Sequence, residues 1–89
     1  MLNQVILVGT VSNIDATLSK IDLTISNTTQ GVTVTTKVPV YLGKIAKYAS
    51  QYLSLDVVVG IKARLENGTD GIKVVAEKMT FINKGDSNE

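Results

Sequence analysis

Gly43-Lys44-Ile45-Ala46-Lys47-Tyr48-Ala49-Ser50-Gln51-Tyr52-Leu53 is the stretch of this 89-residue chain whose apolar residues recur at helical spacing. Ile45, Tyr48, Ala49, Tyr52 and Leu53 stand at i, i+3, i+4, i+7 and i+8, which predicts an amphipathic helix of about three turns. That stripe turns Tyr48 and Tyr52 toward the core and leaves Lys44, Lys47 and Gln51 on the other face. Gly43 is a weak N-cap, because it offers no side-chain oxygen to the first free N–H groups. On both sides of this stretch the period changes from helical to two.

Upstream, Leu2 to Val11 is β-branched and apolar, with Gly9 as a bend or bulge point. Val11 to Asp15 reads as a turn. Ile21, Leu23 and Ile25 then alternate with Asp22, Thr24 and Ser26, the pattern of a half-buried strand. Leu18 is out of phase with them, which places a bulge near Ser19-Lys20. Asn27-Thr28-Thr29-Gln30-Gly31 is a hairpin loop, with glycine available for a positive φ. In the third strand Val34, Thr36, Val38, Val40 and Leu42 share one parity; Thr33, Thr35, Lys37, Pro39 and Tyr41 share the other. Pro39 has no N–H to give, so its nitrogen must face an edge or a bulge.

Downstream, Val57 to Leu65 is a fourth strand, with Ile61 and Ala63 turned in and Lys62 and Arg64 turned out. Asn67 to Gly71 is a second hairpin loop, and Ile72 to Ile82 is a fifth strand. The apolar phase of that strand shifts from Ile72, Val74 and Ala76 to Met79 and Phe81, which places a bulge near Glu77-Lys78. Phe81 is assigned to the core or to an oligomer interface. Residues 1–82 therefore make one domain, and 83–89 are a short polar tail with no packing residue.

Three strands, a helix and two more strands, in about 85 residues, match an all-β architecture: the OB-fold, a five-stranded partly open Greek-key barrel with one helix between strands 3 and 4. A β-sandwich fragment or an SH3-like barrel would leave the helix unexplained. The internal glycines and the inferred bulges are what a strongly curved sheet requires.

Composition removes whole classes of chemistry. The chain has no His and no Cys, so a zinc finger, an imidazole base, a thiol nucleophile and a redox pair are all excluded. Its eight carboxylates include no pair in an apolar setting suited to acid–base work, and no phosphate- or dinucleotide-binding glycine pattern occurs. Neither an enzyme, nor a cofactor, nor a metal site is expected. The N-terminus carries no basic run, and only Val5 to Val8 is continuously apolar before Gly9, so a soluble cytoplasmic protein without membrane attachment is expected. A chain of this size buries only about 63% of its extended surface, which makes a lone domain marginal and favours a homo-oligomer. The net charge is +1, with a local excess of +2 over residues 43–55 from Lys44 and Lys47. A duplex-DNA binder usually shows a more strongly basic face.

Two stretches resemble the bacterial single-stranded DNA-binding (SSB) proteins. Leu2-Asn3-Gln4-Val5-Ile6-Leu7-Val8-Gly9 is similar to the family's opening strand, and Gly43 to Leu53 to its helix, with its Gly-Lys start and its Ala-Ser-x-Tyr-Leu end. The spacing from Tyr52-Leu53 to Arg64-Leu65 fits without a gap, and Val74 to Met79 resembles the last strand. The resemblance implies an OB-fold that binds single-stranded DNA with little sequence preference, in replication, recombination or repair, and that assembles as a homo-oligomer, a tetramer ahead of a dimer. It also marks departures. The family's base-stacking aromatics fall on Thr29, Thr36 and Leu42; the loop after Arg64 is short; and the acidic tail by which relatives recruit repair proteins is missing, so no such recruitment is expected.

Single-strand binders need a positive groove for phosphates and flat π-faces for bases. The candidate cations are Lys37, Lys62, Arg64 and Lys73 on strands three to five and Lys44 at the helix start; Glu66 and Asp70 stand close enough in sequence to neutralise part of Arg64 and Lys73. Tyr41 is the candidate platform. It shares the polar parity with Lys37, whereas the resemblance puts DNA on the parity of Thr36, Val38, Val40 and Leu42; a bulge at Pro39 would reconcile the two. The Thr-rich run from Thr24 to Thr36 suits a strand and also offers hydroxyls to phosphates or base edges. Two other functions remain open, an adaptor of the primosomal replication protein N type and an OB domain used only for protein contacts, as does RNA in place of DNA.

Overall fold

The computed structural model describes residues 3–15, 17 and 19–82. Five strands, β1 (Val5–Ile14), β2 (Lys20–Thr29), β3 (Val32–Tyr41), β4 (Val58–Gly68) and β5 (Gly71–Phe81), close into a barrel in the order β1-β2-β3-β5-β4. All neighbours are antiparallel except β3 and β5, which close the barrel through the parallel pairs Val40–Val74 and Tyr41–Val75. Between β3 and β4 lie a 3₁₀ turn, Gly43–Ile45, and the short helix α1, Ala46–Ala49. This is the expected OB-fold. The polar tail, 83–89, lies outside the described residues, as does Leu18, on which the bulge near Ser19-Lys20 was placed.

Alternation sorts the strands as read. Val11, Ile21, Leu23, Val40, Leu42 and Ile61 point inward with no more than 1% of their surface exposed. Ala63 is fully buried beside exposed Lys62. Two bulges let the alternation follow the curvature. In β5 the register against β4 slips between Lys62–Lys78 and Ala63–Ala76, leaving Glu77 as the extra residue. Ala76 and Met79, three apart, both reach the core because of it. In β1 the slip lies between Val11 and Asn13, so Ser12 is extra, and Val11 and Ile14 both face inward. The segment expected to turn after Val11 is instead the bulged end of β1.

The first hairpin is tighter than the five-residue loop expected. β2 and β3 pair without interruption from Lys20–Tyr41 to Thr29–Val32. The turn is Gln30-Gly31 alone, with φ of 53° and 80°. Positive φ at both central positions is the I′ geometry whose twist suits a two-residue hairpin. Gly9 is required for another reason. A Cβ there would lie 2.6 Å from the Thr24 carbonyl oxygen, so β1 can cross β2 closely only without a side chain. At the chain start Asn3 acts as a rung of the sheet. Its Nδ2 donates to the Leu65 carbonyl at 3.0 Å and its Oδ1 accepts from the Leu65 N–H at 2.9 Å.

The helix departs most from expectation. Only Ala46–Ala49 is α-helical, and the chain continues to Leu53 through mixed bonds: Gln51 N–H to Tyr48 O at 3.2 Å, Tyr52 N–H to Ala49 O at 2.9 Å, and Leu53 N–H to Ala49 O at 2.9 Å. No side chain caps the start, and the Ser50 hydroxyl bonds back to the Lys47 carbonyl at 2.8 Å. A segment this short gains little from helical cooperativity. The face against the barrel is centred on Ala49, with no exposed surface, and Ile45, Ala46 and Leu53 pack around it. Tyr48 and Tyr52, expected in the core, are 51% and 53% exposed. At about 100° per residue they stand roughly 100° and 60° from Ala49, on the flank of the stripe.

Candidate nucleic-acid interface

Because β2 and β3 pair in one unbroken register, β3 has no bulge at Pro39, and its two faces are settled. Val40 and Leu42 are interior, and Val38 is half-buried against the core. Tyr41, Pro39 and Lys37 share the outer face. Thr36 has the inner parity, opposite Ile25, and is exposed because the hairpin there projects beyond the barrel. The side implied for Leu42 by the resemblance is thus the barrel interior, while Tyr41 has the accessible ring. Pro39 lies one residue before β3 meets β5, where its nitrogen has no ladder partner to lose.

Tyr41 stands at the seam where β3 lies between β2 and β5. Lys20, its cross-strand partner on β2, places Nζ 5.7 Å from the ring centroid. Lys73 of β5 places Nζ 5.0 Å from it. Both distances are within cation–π range. Beside the ring a groove of about 470 Å³ runs between Pro39 and Tyr41 on one wall and the β4–β5 hairpin, Asn67 to Lys73, on the other. The arrangement places an aromatic ring, with two ammonium groups over it on flexible stems, at the mouth of an open groove. Asp70 lines the same groove. Along the β2–β3 hairpin the outer face continues as a hydroxyl ladder, with Ser26 to Thr35 at 3.3 Å and Thr28 to Thr33 at 2.8 Å, and Lys37 opposite Thr24.

The remaining candidates do not join this surface. Arg64 donates from Nε to Glu66 at 2.6 Å and from Nη1 to Glu77 at 3.3 Å. The bond it donates to Glu66 above all, with the one to Glu77 behind it, holds its pKa above the ordinary guanidinium value. Its charge is committed within the protein, to Glu77 as well as to the Glu66 the sequence pointed to. Lys44 lies beside Arg64 at a second depression, with Val75 and Ala76. Lys62 lies elsewhere on the barrel, sharing a depression with Ile6, Lys78 and Thr80. Of the seven residues singled out, Tyr41 and Lys73 meet directly, Lys37 shares their outer face, and Thr36, Lys44, Lys62 and Arg64 stand apart. Sequence spacing does not single out Lys20, which becomes visible only once the hairpin register is known. Among the described residues no three carboxylates converge as a metal site would need.

No family model and no curated protein sequence matches the chain. Solved structures do. A small single-stranded DNA-binding protein from Streptomyces coelicolor superposes with a TM-score of 0.70 at 16% identity, over 92% of this chain and 95% of that one. The mitochondrial single-stranded DNA-binding protein Rim1 of S. cerevisiae gives 0.70 at 14% identity, over 96% and 99%. A small single-stranded DNA-binding protein from Mycoplasma pneumoniae gives 0.63 at 18% identity, over 99% and 100%. The closed order β1-β2-β3-β5-β4, the helix between β3 and β4, and these end-to-end superpositions identify the chain as an OB-fold domain built like small single-stranded DNA-binding proteins.

Proposed function

We propose that this protein binds single-stranded DNA with little sequence preference, along the outer face of β2 and β3 and into the groove beside the β4–β5 hairpin. The observation that carries the reading is Tyr41, with Lys20 and Lys73 ammonium groups 5.7 and 5.0 Å from its ring above an open groove. A base stacks on the ring as the two lysines, which lie over it in the unbound protein, swing out to the adjacent phosphates, and every base has a π-face, so the contact is sequence-tolerant. The superposed proteins that carry single-stranded DNA binding in their descriptions support the same reading. The function is non-covalent coating in replication, recombination or repair. Titration of labelled oligo-dT, with duplex DNA and single-stranded RNA as competitors, tests it. Tight binding that grows with strand length and resists duplex is expected; no binding at low salt refutes it and leaves an OB domain for protein contacts.

We also propose that the protein works as a homo-oligomer, a tetramer ahead of a dimer. Val5 to Gly9 pair with β4 alone, because β2 joins β1 only from Thr10 onward. Beside that open edge the outward side chains Ile6, Val8 and Ile82 are 63%, 54% and 52% exposed. Edge pairing and face stacking are two different self-complementary contacts, and two such contacts build a closed tetramer. Light scattering at micromolar concentration tests this, and a 9.5 kDa particle refutes it.

A further inference from the structure

The three aromatic residues other than Tyr41 form one exposed cluster. Tyr48 and Tyr52 have ring centroids 5.4 Å apart, and Tyr52 and Phe81 5.6 Å, with interplanar angles of 55° and 52°. Both tyrosines are about half exposed, and with Lys78 and Thr80 the rings line an open depression of about 400 Å³. Lys78 continues from there into the adjoining depression that holds Lys62. Among the described residues every ion pair involves Arg64, and the neighbouring carboxylate Glu77 is engaged there, so Lys78 and Lys62 have no carboxylate within ion-pair distance. Among the described residues the surface thus combines π-faces with positive charge that no carboxylate pairs.

We propose that the Tyr48–Tyr52–Phe81 cluster is a second stacking site for single-stranded nucleic acid, with Lys78, which lines the same depression, pairing the phosphate that runs past it. The inference rests on the single-strand reading of the Tyr41 groove and extends it. Charge selects the occupant. A second copy docked on the rings by two-fold symmetry would bring the same positive patch against itself, whereas a polyanion with flat bases satisfies both the rings and the Lys78 ammonium group; Lys62, the cross-strand partner of Ile6, belongs to the face proposed for contact between copies. The cluster lies at the end of β5 away from Lys73, eight residues along the strand, or roughly 25 Å at ~3.3 Å per residue. A strand long enough to leave the groove and follow β5 engages both sites; a very short one cannot.

The chain's tyrosines number three and it has no tryptophan, so in Tyr41→Phe all tyrosine emission comes from Tyr48 and Tyr52, while the groove keeps a ring for stacking. Oligo-dT of about 30 nucleotides, well beyond the ~4–16 that one OB-fold spans, is titrated into this variant while anisotropy of a label on the strand follows binding. Quenching of the tyrosine emission is expected as the anisotropy saturates. Tyr52→Ala should weaken binding of the long strand about fivefold or more, the size of one lost stack, while an oligomer of about 5 nucleotides loses less and Tyr52→Phe restores the affinity. Saturating anisotropy with unchanged emission, or long-strand affinity unchanged in Tyr52→Ala, overturns the second site and leaves the Tyr41 groove standing. A smaller particle in light scattering for Tyr52→Ala with unaltered DNA affinity overturns it in favour of a contact between copies. No anisotropy change in any form of the protein, the unsubstituted chain included, overturns the groove and the second site together.

Discussion

Reversing the two charges that flank Tyr41 separates phosphate pairing from stacking. Lys20, Lys37 and Lys73 are the cations on the outer face around the groove, and Lys20 and Lys73 stand 5.7 and 5.0 Å from the Tyr41 centroid. If all three neutralise phosphates, the single-strand rule of ~0.7 per phosphate gives a log–log salt slope of roughly −2 per protomer, so a fourfold rise in salt weakens binding about 16-fold. Lys20→Glu with Lys73→Glu removes two of the three pairings, which should bring the slope to roughly −0.7 and lower affinity steeply at ~0.05 M salt while the barrel stays folded. Tyr41→Ala should act differently. It loses one stack, ~1–3 kcal/mol or about 5- to 150-fold, and leaves the slope nearly unchanged. Arg64→Gln is the internal control, because its guanidinium already serves Glu66 and Glu77. The assay is anisotropy of an oligo-dT of about 5 nucleotides, too short to reach the Tyr48–Tyr52–Phe81 cluster, across a salt series, with circular dichroism to confirm folding. An unchanged slope in the double variant, or a steep loss in Arg64→Gln equal to that of the double variant, would show that the strand follows another face of the barrel.

Gly9→Ala should destabilise the fold by about 1–3 kcal/mol, the usual cost of overpacking, because the new Cβ meets the Thr24 carbonyl oxygen at 2.6 Å; urea unfolding reads the loss, and a change below ~0.5 kcal/mol contradicts the close crossing of β1 and β2. Asp15 accepts bonds from the Thr17 hydroxyl at 2.7 Å and the Thr17 N–H at 2.8 Å, and these bonds, the hydroxyl's first, hold its pKa below the ordinary aspartate value of 3.8. A lowered folded-state pKa contributes stability that is present above 3.8 and is lost as pH falls through the folded value, so Asp15→Asn should flatten the acid limb of a melting-temperature profile below about pH 4; an acid limb as steep as before refutes the assignment. Ile6→Glu with Val8→Glu should reduce the particle mass in light scattering without loss of strand content, since both side chains point away from the core; an unchanged mass removes the β1 face from the assembly.

The barrel was legible because closure and alternation leave local traces. Ile21, Leu23, Val40, Ile61 and Ala63 announce their inward parity by period, and the slip in phase across Glu77-Lys78 announces a bulge where the structure has one. The bulge at Ser12 leaves no such trace, since Ser12 and Asn13 suit a turn as well as a bulged strand, and the sequence pattern alone ends β1 three residues early. The candidate site was harder to read because it is assembled across strands. Once the turn is Gln30-Gly31, every β2–β3 pair has residue numbers that sum to 61, which sets Lys20 opposite Tyr41 and Thr24 opposite Lys37. A loop of five residues, Asn27 to Gly31, leaves that sum open by several units, and with it the identity of the cation beside the ring.

Helical spacing also misplaces the tyrosines, for a related reason. Helical spacing assigns residues to a stripe, but it does not say which of them lies at the stripe's centre. The floor of this barrel is already filled by Leu42 and Val40, each with no exposed surface, so the covering segment must approach on methyl groups, and Ala49 is the residue that reaches zero exposure. A ring at that centre would hold the helix off the barrel and would bury a phenol without a partner. Tyr48 and Tyr52 are therefore displaced to the flank, where Phe81 at the end of β5 meets Tyr52 at 5.6 Å. The small residues that let the helix close the barrel are thus the reason its aromatic residues are available at the surface, beside Lys78, for something other than the core.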